Sequence, residues 1–406
     1  MATNQETWQD RTRSNVETWE PVLTADLTRE DWQSVWDCWE GRLPPSKLRS
    51  RCAPLYGRSF VRLVEEGLYQ AGNTSGVRRQ DPEDSIRGFC RQVDRVRSGV
   101  SGGNVSAAAF SNRISAWVTD GYAETQNSLA GIVAESEVEN FRPSPVIQNL
   151  DIQTLAPLPP GKSAAKGTLN ARYFGDQQVL RMARSLTVDE QDLLNAIPGT
   201  LSENMAQIGR AAQRTFLDWS FALIFQNAPL DLDTVPMFDS SHGNLGSDAL
   251  SAPSLAAGMA AIRSQTLVSD DETPTTIHLN LQPKTLVVPP ALEGTARQVL
   301  RLMKLDDPTI DLTLRVESRL ALPVRNPVTG VTYTGSNTNW LLSADSTVAP
   351  WMLRAGLQGQ NGPKVNTYSL GPESGTSGQY GLQVDCHWDF GLKLIDFKGA
   401  YFSTGQ

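Results

Sequence analysis

The sequence predicts an α+β fold, and three stretches carry this prediction. Residues 236–300 read as a turn, a small-residue helix, a hairpin of two short apolar runs (276–281 and 285–288), and a second helix opened by Pro289-Pro290. Residues 200–227 read as one long amphipathic helix, and residues 146–186 as two extended arms. A chain of 406 residues is long enough to build two or three subdomains with cores of their own.

Composition excludes several classes of protein. The apolar fraction of 39% is ordinary for a globular protein, and the sequence contains no run of 18 apolar residues, so we expect no membrane span. The four cysteines lack metal-ligand spacing and read as free thiols. Residues 1–100 hold 15 basic and 15 acidic groups, so the net charge of −8 falls on the rest of the chain, which predicts poor non-specific binding to nucleic acid.

The first helix predicted along the chain has a tryptophan-rich face. Trp32, Val35, Trp36 and Trp39 recur at helical spacing behind Thr28, a good N-cap residue. Such a face must be covered, either by the rest of the chain or by a partner. On the second interpretation Trp32, Trp36 and Trp39 are candidates for intersubunit contact.

Two arginine-rich stretches follow, at residues 41–62 and 78–97. A basic stretch is typical either of a nucleic-acid footprint or of a solvated or protein-contacting surface, and the second stretch also contains acidic residues. Residues 98–104 are rich in Gly and Ser and predict a linker, which we take as the main boundary. Residues 105–140 read as helical.

The extended arms at residues 146–155 and 168–186 surround a segment rich in Pro and Gly. A long hairpin of this kind would leave sticky strand edges exposed in a lone globule, but it is suited to lying across a neighbouring subunit. Pro157, Lys162 and Lys166 in its tip are therefore further intersubunit candidates.

The strongest helix follows a predicted capping box, Thr200-Leu-Ser-Glu203. At 1.5 Å a residue it would be about 40 Å long. Its apolar seam recurs every three or four residues, at Leu201, Met205, Ile208, Ala212, Phe216, Trp219 and Leu223. Further strands are predicted at 312–324, 338–344, 350–355 and in the last block, 380–402.

Catalytic motifs were tested and set aside. Gly161-Lys162-Ser163 lacks the first glycine of a phosphate loop, because residue 156 is Ala. Ser101 lies in a nucleophile-elbow pattern, with His242, His278 or His387 as possible bases, but its flanks predict a linker. Asp239 and His242 supply only two ligands for a metal. We therefore predict no catalytic, cofactor or metal site, and no enzyme.

Several motifs in the second half resemble one family closely. They are Phe238-x-x-x-His-Gly-Asn-Leu245, Val288-Pro-Pro-Ala-Leu-Glu293, His387-Trp-Asp-Phe-Gly391 and Ile395-Asp-Phe-Lys-Gly-Ala-Tyr401. In this order they resemble the tailed-bacteriophage major capsid proteins of the Mu-like major head subunit group. Trp388 is an insertion relative to the family pattern. The resemblance covers residues 101–406 and implies the Hong Kong 97-type capsid fold.

That resemblance implies a structural protein of the virion, assembled in the host bacterial cytoplasm into pentamers and hexamers of an icosahedral shell around DNA held non-specifically. Neighbouring subunits and scaffold, portal or decoration proteins are the implied partners. The alternatives are an encapsulin-like protein compartment and a serine hydrolase or maturation protease using Ser101 and His242. The implied segments are an N-terminal extension that is retained or scaffold-like (1–100), the arm of the capsid core (101–145), the extended loop (146–186), the peripheral domain with its spine helix (187–230), a mainly axial domain (231–335) and returning strands (336–406).

Overall fold

The structure is a computed structural model. It describes residues 26–71, 82–97, 104–149, 158, 163, 171–197, 199–268, 276–360, 362–371 and 379–406. Two compact units are built from segments that alternate along the chain. The first unit takes the described residues of Met1–Gly121 with Ala183–Ile208 and Lys364–Cys386. The second takes those of Tyr122–Met182, Gly209–Pro363 and His387–Gln406.

The described helices are α1 (Arg29–Trp39), α2 (Phe60–Gln70), α3 (Pro82–Arg97), α4 (Val105–Glu124), α5 (Glu190–Leu194), α6 (Thr200–Gln226), α7 (Ala252–Arg263) and α8 (Glu293–Asp306). The strands are β1 (Val133–Val138), β2 (Ser144–Asn149), β3 (Ala171–Gln177), β4 (Leu180–Asp189), β5 (Leu245–Gly246), β6 (Thr266–Val268), β7 (Thr276–His278), β8 (Pro283–Val288), β9 (Thr313–Val316), β10 (Pro323–Arg325), β11 (Thr332–Thr334), β12 (Trp340–Ala344), β13 (Met352–Leu357), β14 (Lys364–Leu370), β15 (Gly381–Leu394) and β16 (Ala400–Ser403). The mixture confirms the predicted α+β class.

Two five-stranded sheets contain most of these strands. One has the order β1-β13-β15-β14, with β4 also paired to β15, and the other has the order β5-β16-β12-β8-β9. The pairs β2-β3, β6-β7 and β10-β11 are two-stranded ribbons.

The core of the first unit is an aromatic cluster. Trp36 packs against Phe60, Phe89 and Phe110, at ring-centroid distances of 5.6, 6.0 and 5.0 Å. These side chains come from α1, α2, α3 and α4, and all four are buried. Residues on both sides of the predicted linker at 98–104 therefore share one core, so the predicted boundary at residue 100 does not separate compact units. The linker itself lies outside the described residues except for Asn104, which is buried.

The second unit has two main cores. In one, Phe216 and Trp219 of α6 pack against Phe390 of β15, at 6.1 and 5.3 Å between ring centroids. In the other, Leu255 of α7 and Leu286 of β8 belong to one buried cluster with residues of α8 and β12. Each face of the sheet that contains β8 is thereby supplied with apolar cover, which explains why β8 is buried along most of its length.

Helix α6 confirms the predicted long helix, with 27 residues and a seam in which Leu201, Met205, Phe216 and Trp219 are buried. The predicted capping box is wrong. Thr200 is already the first helical residue, and its hydroxyl donates to the carbonyl of Ile197. The free N–H groups of Gly199 and Ser202 instead donate to the carboxylate of Glu40, at 2.8 and 3.3 Å.

Three other expectations need correction. The helix predicted over residues 105–140 ends at Glu124, and the alternating sequence Val133–Val138 forms β1, paired in parallel with β13. The runs at 276–281 and 285–288 do not form a hairpin together. Strand β7 pairs with β6, whereas the apolar β8 takes a central place between β12 and β9. The strand predicted at 312–324 is broken by a 3₁₀ turn, Ser318–Leu320.

Candidate assembly surfaces

The tryptophan-rich face of α1 is an internal surface. Thr28 and Asp31 form a capping box at its start, and Trp32 and Trp36 have no exposed area. The indole N–H of Trp32 donates to the side chain of Gln70, and that of Trp36 to the carbonyl of Ser106. Of the two interpretations offered above, the intramolecular core holds for Trp32 and Trp36. Trp39 remains partly exposed, although its ring also contacts Phe60.

The arginine-rich stretches are largely paired with acids. Arg49 and Arg51 both bind the buried carboxylate of Asp31, at 2.9 and 2.6 Å. Burial alone would raise the pKa of Asp31, but hydrogen bonds from Thr28 and from the two arginines lower it to about 2. Arg87 likewise pairs with Glu190 at 2.8 Å. Arginines that already pair with carboxylates of the same chain have little positive charge left to neutralise DNA phosphates. This pairing favours the interpretation of these stretches as a protein-contacting or solvated surface.

The β2-β3 hairpin is formed by part of the two predicted arms, whereas residues 180–186 of the second arm belong to β4, which pairs with β15 instead. Its strands pair only with each other among the described residues, and a two-stranded ribbon is marginal alone. Ile147 is 56% exposed and Tyr173 is 50% exposed. Within the tip, the structure describes only Leu158 and Ser163, both exposed. Pro157, Lys162 and Lys166 lie outside the described residues.

A second exposed ribbon was missed in the sequence. Strands β10 and β11 flank a turn in which the buried Asn326 side chain accepts hydrogen bonds from the N–H groups of Val328 and Thr329. Leu322, Val328 and Val331 are exposed. The signal was present in Asn326-Pro327 and Gly330, a turn pattern between apolar residues.

The turn around His242 is a structural unit. The carboxylate of Asp239 accepts from the N–H of Ser241, and the amide of Asn244 donates to the carbonyl of Met237. The two ring nitrogens of His242 contact the Met237 carbonyl at 3.2 Å and the Asp233 carboxylate at 2.9 Å. Its ring stacks on Phe397 at 3.9 Å. These contacts fix the imidazole, so the turn has a structural role.

No other chemistry gathers in the part of the chain that the structure describes. Within it, no three His, Cys, Asp or Glu side chains come together as a metal site requires, and no helix has the length and hydropathy to cross a bilayer. All four cysteines are free thiols. Burial raises the pKa of Cys386 to about 11, which makes it unreactive at neutral pH. Ser101 lies outside the described residues.

Comparison with known families decides what this arrangement is. The family described as phage capsid protein matches residues 177–402, which is more than half of the chain. The chain belongs to the phage capsid protein family. The match contains every motif on which the resemblance was based, from the turn at Phe238 to the last motif, which ends at Tyr401. The capsid protein is thus a structural shell component of the virion, and the match favours this class over an encapsulin-like compartment.

Solved structures similar to this capsid protein include three particles. The capsid of the cyanophage P-SCSP1u has a TM-score of 0.45 and 11% identity, covering 68% of this chain and 86% of that chain. The mature capsid of bacteriophage PhiM1 has a TM-score of 0.43 and 13% identity, covering 69% and 87%. The virus-like particle from Pyrococcus furiosus has a TM-score of 0.39 and 11% identity, covering 72% and 99%. A comparison with curated protein sequences gives no significant match.

Proposed function

We propose that this chain is the major head subunit of a Mu-like tailed phage and forms pentamers and hexamers of an icosahedral shell around the phage DNA. The shell assembles in the cytoplasm of the host bacterium. Family membership supports the class of protein. The observation that carries the finer proposal is the β2-β3 hairpin, which has no strand partner in the described chain and exposes Ile147 and Tyr173.

An exposed ribbon of this kind needs a neighbour. A free strand edge with apolar side chains promotes association between chains, and natural proteins normally protect it. A second copy lying under the hairpin would cover Ile147 and Tyr173 and the tip that contains Pro157, Lys162 and Lys166. Obligate interfaces of this type bury thousands of Å² per contact, so stability and assembly would depend on repeated copies.

The charge of the chain suits a container for DNA. A net charge of −8 disfavours tight binding to the phosphate backbone, so the packaged DNA would be enclosed without being gripped. Portal, scaffold or decoration proteins would then be recognised by protein contacts rather than through DNA.

The segments take the following roles in this proposal. Residues 146–186 form the extended loop and 101–145 the arm of the capsid core. Helix α6 is the spine of the peripheral domain, 187–230, and residues 231–335 make up most of the axial domain. Residues 336–406 return as strands through both.

The N-terminal extension, residues 1–100, is retained and contacts neighbours in this proposal. Its described part supplies Trp36, Phe60 and Phe89 to the cluster around Phe110, so a cut near residue 100 would expose a large apolar surface. Since Trp32 and Trp36 are covered within the chain, Trp39 is the residue of that face with surface left for a neighbour.

The test is the size of the purified protein. Sizing with light scattering, followed by electron microscopy, is expected to find capsomers or closed shells far larger than the 44.4 kDa chain. A monomer across a wide range of concentration and salt would contradict the proposal.

A further inference from the structure

The β2-β3 hairpin has an irregular register near Pro145. Ser144 pairs with Gln177 and Pro145 with Asp176, but the next pair is Ile147 with Tyr173. Val146 therefore faces two residues, Phe174 and Gly175, which is the arrangement of a β-bulge. Gly175 has a φ of +83°, in the left-handed region that glycine adopts without strain. A bulge with such a residue turns a ribbon sharply at one point.

An apolar seat holds the inside of this bend. Phe174 is fully buried in a small cluster with Leu353 of β13 and Ile395, and Val146 packs against the same cluster. One residue from each hairpin strand is thereby fixed to the body of the unit. This apolar seat fixes the position of the bend, whereas the angle of the bend depends on the backbone conformation at Gly175.

A polar lock lies directly over Gly175. The ammonium of Lys393 donates to the carboxylate of Asp231 at 2.6 Å and to the carbonyl of Asp176 at 2.8 Å. A Cβ atom at residue 175 would collide with both the Asp231 carboxylate and the Lys393 ammonium. The lock therefore requires a residue without a side chain at this position.

Two further contacts hold the strand as it leaves the bend. The buried amide of Gln177 donates to the carbonyls of Leu353 and Gly391, at 3.3 and 3.1 Å, and so joins the hairpin to β13 and β15. A few residues on, Arg181 binds the buried carboxylate of Asp389 through two hydrogen bonds of 2.8 and 2.9 Å. The backbone on the far side of Gly175 is thus fixed independently of the lock.

The lock contributes little to stability by the usual measure. The Asp231 side chain is 55% exposed, and an ion pair that is open to water typically adds under about 1 kcal/mol to the free energy of unfolding. A contact that adds little stability, yet occupies the position where a Cβ of residue 175 would lie, is suited to setting the direction of the ribbon.

We propose that Gly175, Asp231 and Lys393 are positioning residues that set the direction in which the hairpin leaves the subunit, so that it meets a second copy of this chain at the angle a closed shell requires. This inference rests on the proposed intersubunit role of the hairpin. On this inference, these three residues determine whether the chain assembles into closed shells or into irregular assemblies.

The first test is Gly175→Ala with Gly131→Ala as its control. Gly131 has a φ of +78°, and a Cβ there would meet nothing within 4 Å, so it carries the same backbone strain without the lock. Both variants should lower the melting temperature by a similar amount. Only Gly175→Ala should reduce the yield of closed shells, by roughly tenfold, as counted by electron microscopy.

The second test avoids backbone strain, in case Gly175→Ala fails to fold. Lys393→Met removes both hydrogen bonds of the lock, and Lys284→Met removes an ion pair of 2.7 Å with Asp345 elsewhere in the unit. Lys393→Met should give open or irregular particles with an unchanged melting temperature, and Lys284→Met should give closed shells. Lys393→Arg should restore part of the closed fraction.

Deletion of residues 157–166 distinguishes failure of the positioning role from failure of the proposed intersubunit role of the hairpin. If the deletion stops assembly while Gly175→Ala and Lys393→Met assemble like their controls, the positioning role is wrong and the hairpin remains an intersubunit element. If the deletion also leaves shells unchanged, the proposed role of the hairpin is wrong as well.

Discussion

Helix α1 and the β2-β3 hairpin looked alike in sequence, because each reads as a segment that needs a partner. The structure separates them. Trp36 of α1 lies within 6.0 Å of three aromatic rings from other helices of its own unit. In the hairpin, Phe174 is buried but its neighbour Tyr173 is half exposed. Aromatic content therefore does not distinguish a core from an interface, whereas the number of partners within the chain does.

This contrast predicts where a substitution affects folding and where it affects assembly.

Trp36→Ala should destabilise the first unit most. It removes the centre of the aromatic cluster, and truncation of a buried tryptophan typically costs about 3–5 kcal/mol. Urea unfolding followed by near-ultraviolet circular dichroism measures the loss. Tyr56→Ala, at an aromatic side chain that is 58% exposed, is the control and should change little. Equal effects of the two would mean that α1 is not part of the core.

Within the hairpin, Phe174→Ala and Tyr173→Ala should behave oppositely. Phe174 fills the apolar seat, so its truncation should lower the free energy of unfolding by about 3 kcal/mol. Tyr173→Ala should leave stability almost unchanged and lower the yield of shells. Thermal unfolding and electron microscopy of the same preparations check both. If Tyr173→Ala assembles normally, the outward face of the hairpin is not an interface.

Asp31 should make the first unit sensitive to acid. Its pKa is about 2 in the folded chain against an ordinary 3.8, so its contribution is present above pH 4 and is lost as the pH falls towards 2. That contribution is roughly 2 kcal/mol. Asp31→Asn should flatten the fall in stability over this range in acid titrations, whereas Asp84→Asn on the exposed part of α3 should not.

Removal of residues 157–166 should have the smallest effect on folding and a large one on assembly. The tip is rich in Pro and Gly and supplies few apolar side chains to a core. The melting temperature should stay that of the full chain while shells disappear. Replacement of the same ten residues by Gly and Ser keeps the length and shows whether sequence or reach matters. A lower melting temperature with normal shells would reverse the assignment.

Local patterns in the sequence were sufficient for much of the fold. The apolar seam of α6 and the turn at Asp239 to Asn244 depend on neighbouring residues, and both were predicted. The partner of a helix end or of a strand is a different matter. Glu40 caps α6 although it lies 159 residues away in the sequence. Strand β8 pairs with β12 and β9 and not with β7, its neighbour in the sequence. Such choices depend on which surfaces meet in space, which short-range spacing does not encode.

The same limit explains what was missed at the candidate surfaces. The elbow at Gly175 requires Asp231 and Lys393, which lie 56 and 218 residues further along the chain. Nothing near Gly175 in sequence indicates a lock. Conversely, the sequence left open whether a partner covers Trp32 and Trp36, because the residues that cover them are on other helices.

The most direct test of this account is cryo-electron microscopy of particles formed by the purified full-length protein. We expect closed shells in which the β2-β3 hairpin of each subunit lies on a neighbouring copy, while α1, α2 and α3 pack against α4 of their own chain. Shells in which α1–α3 are absent or detached from α4, or a protein that stays a 44.4 kDa monomer under all conditions, would contradict it.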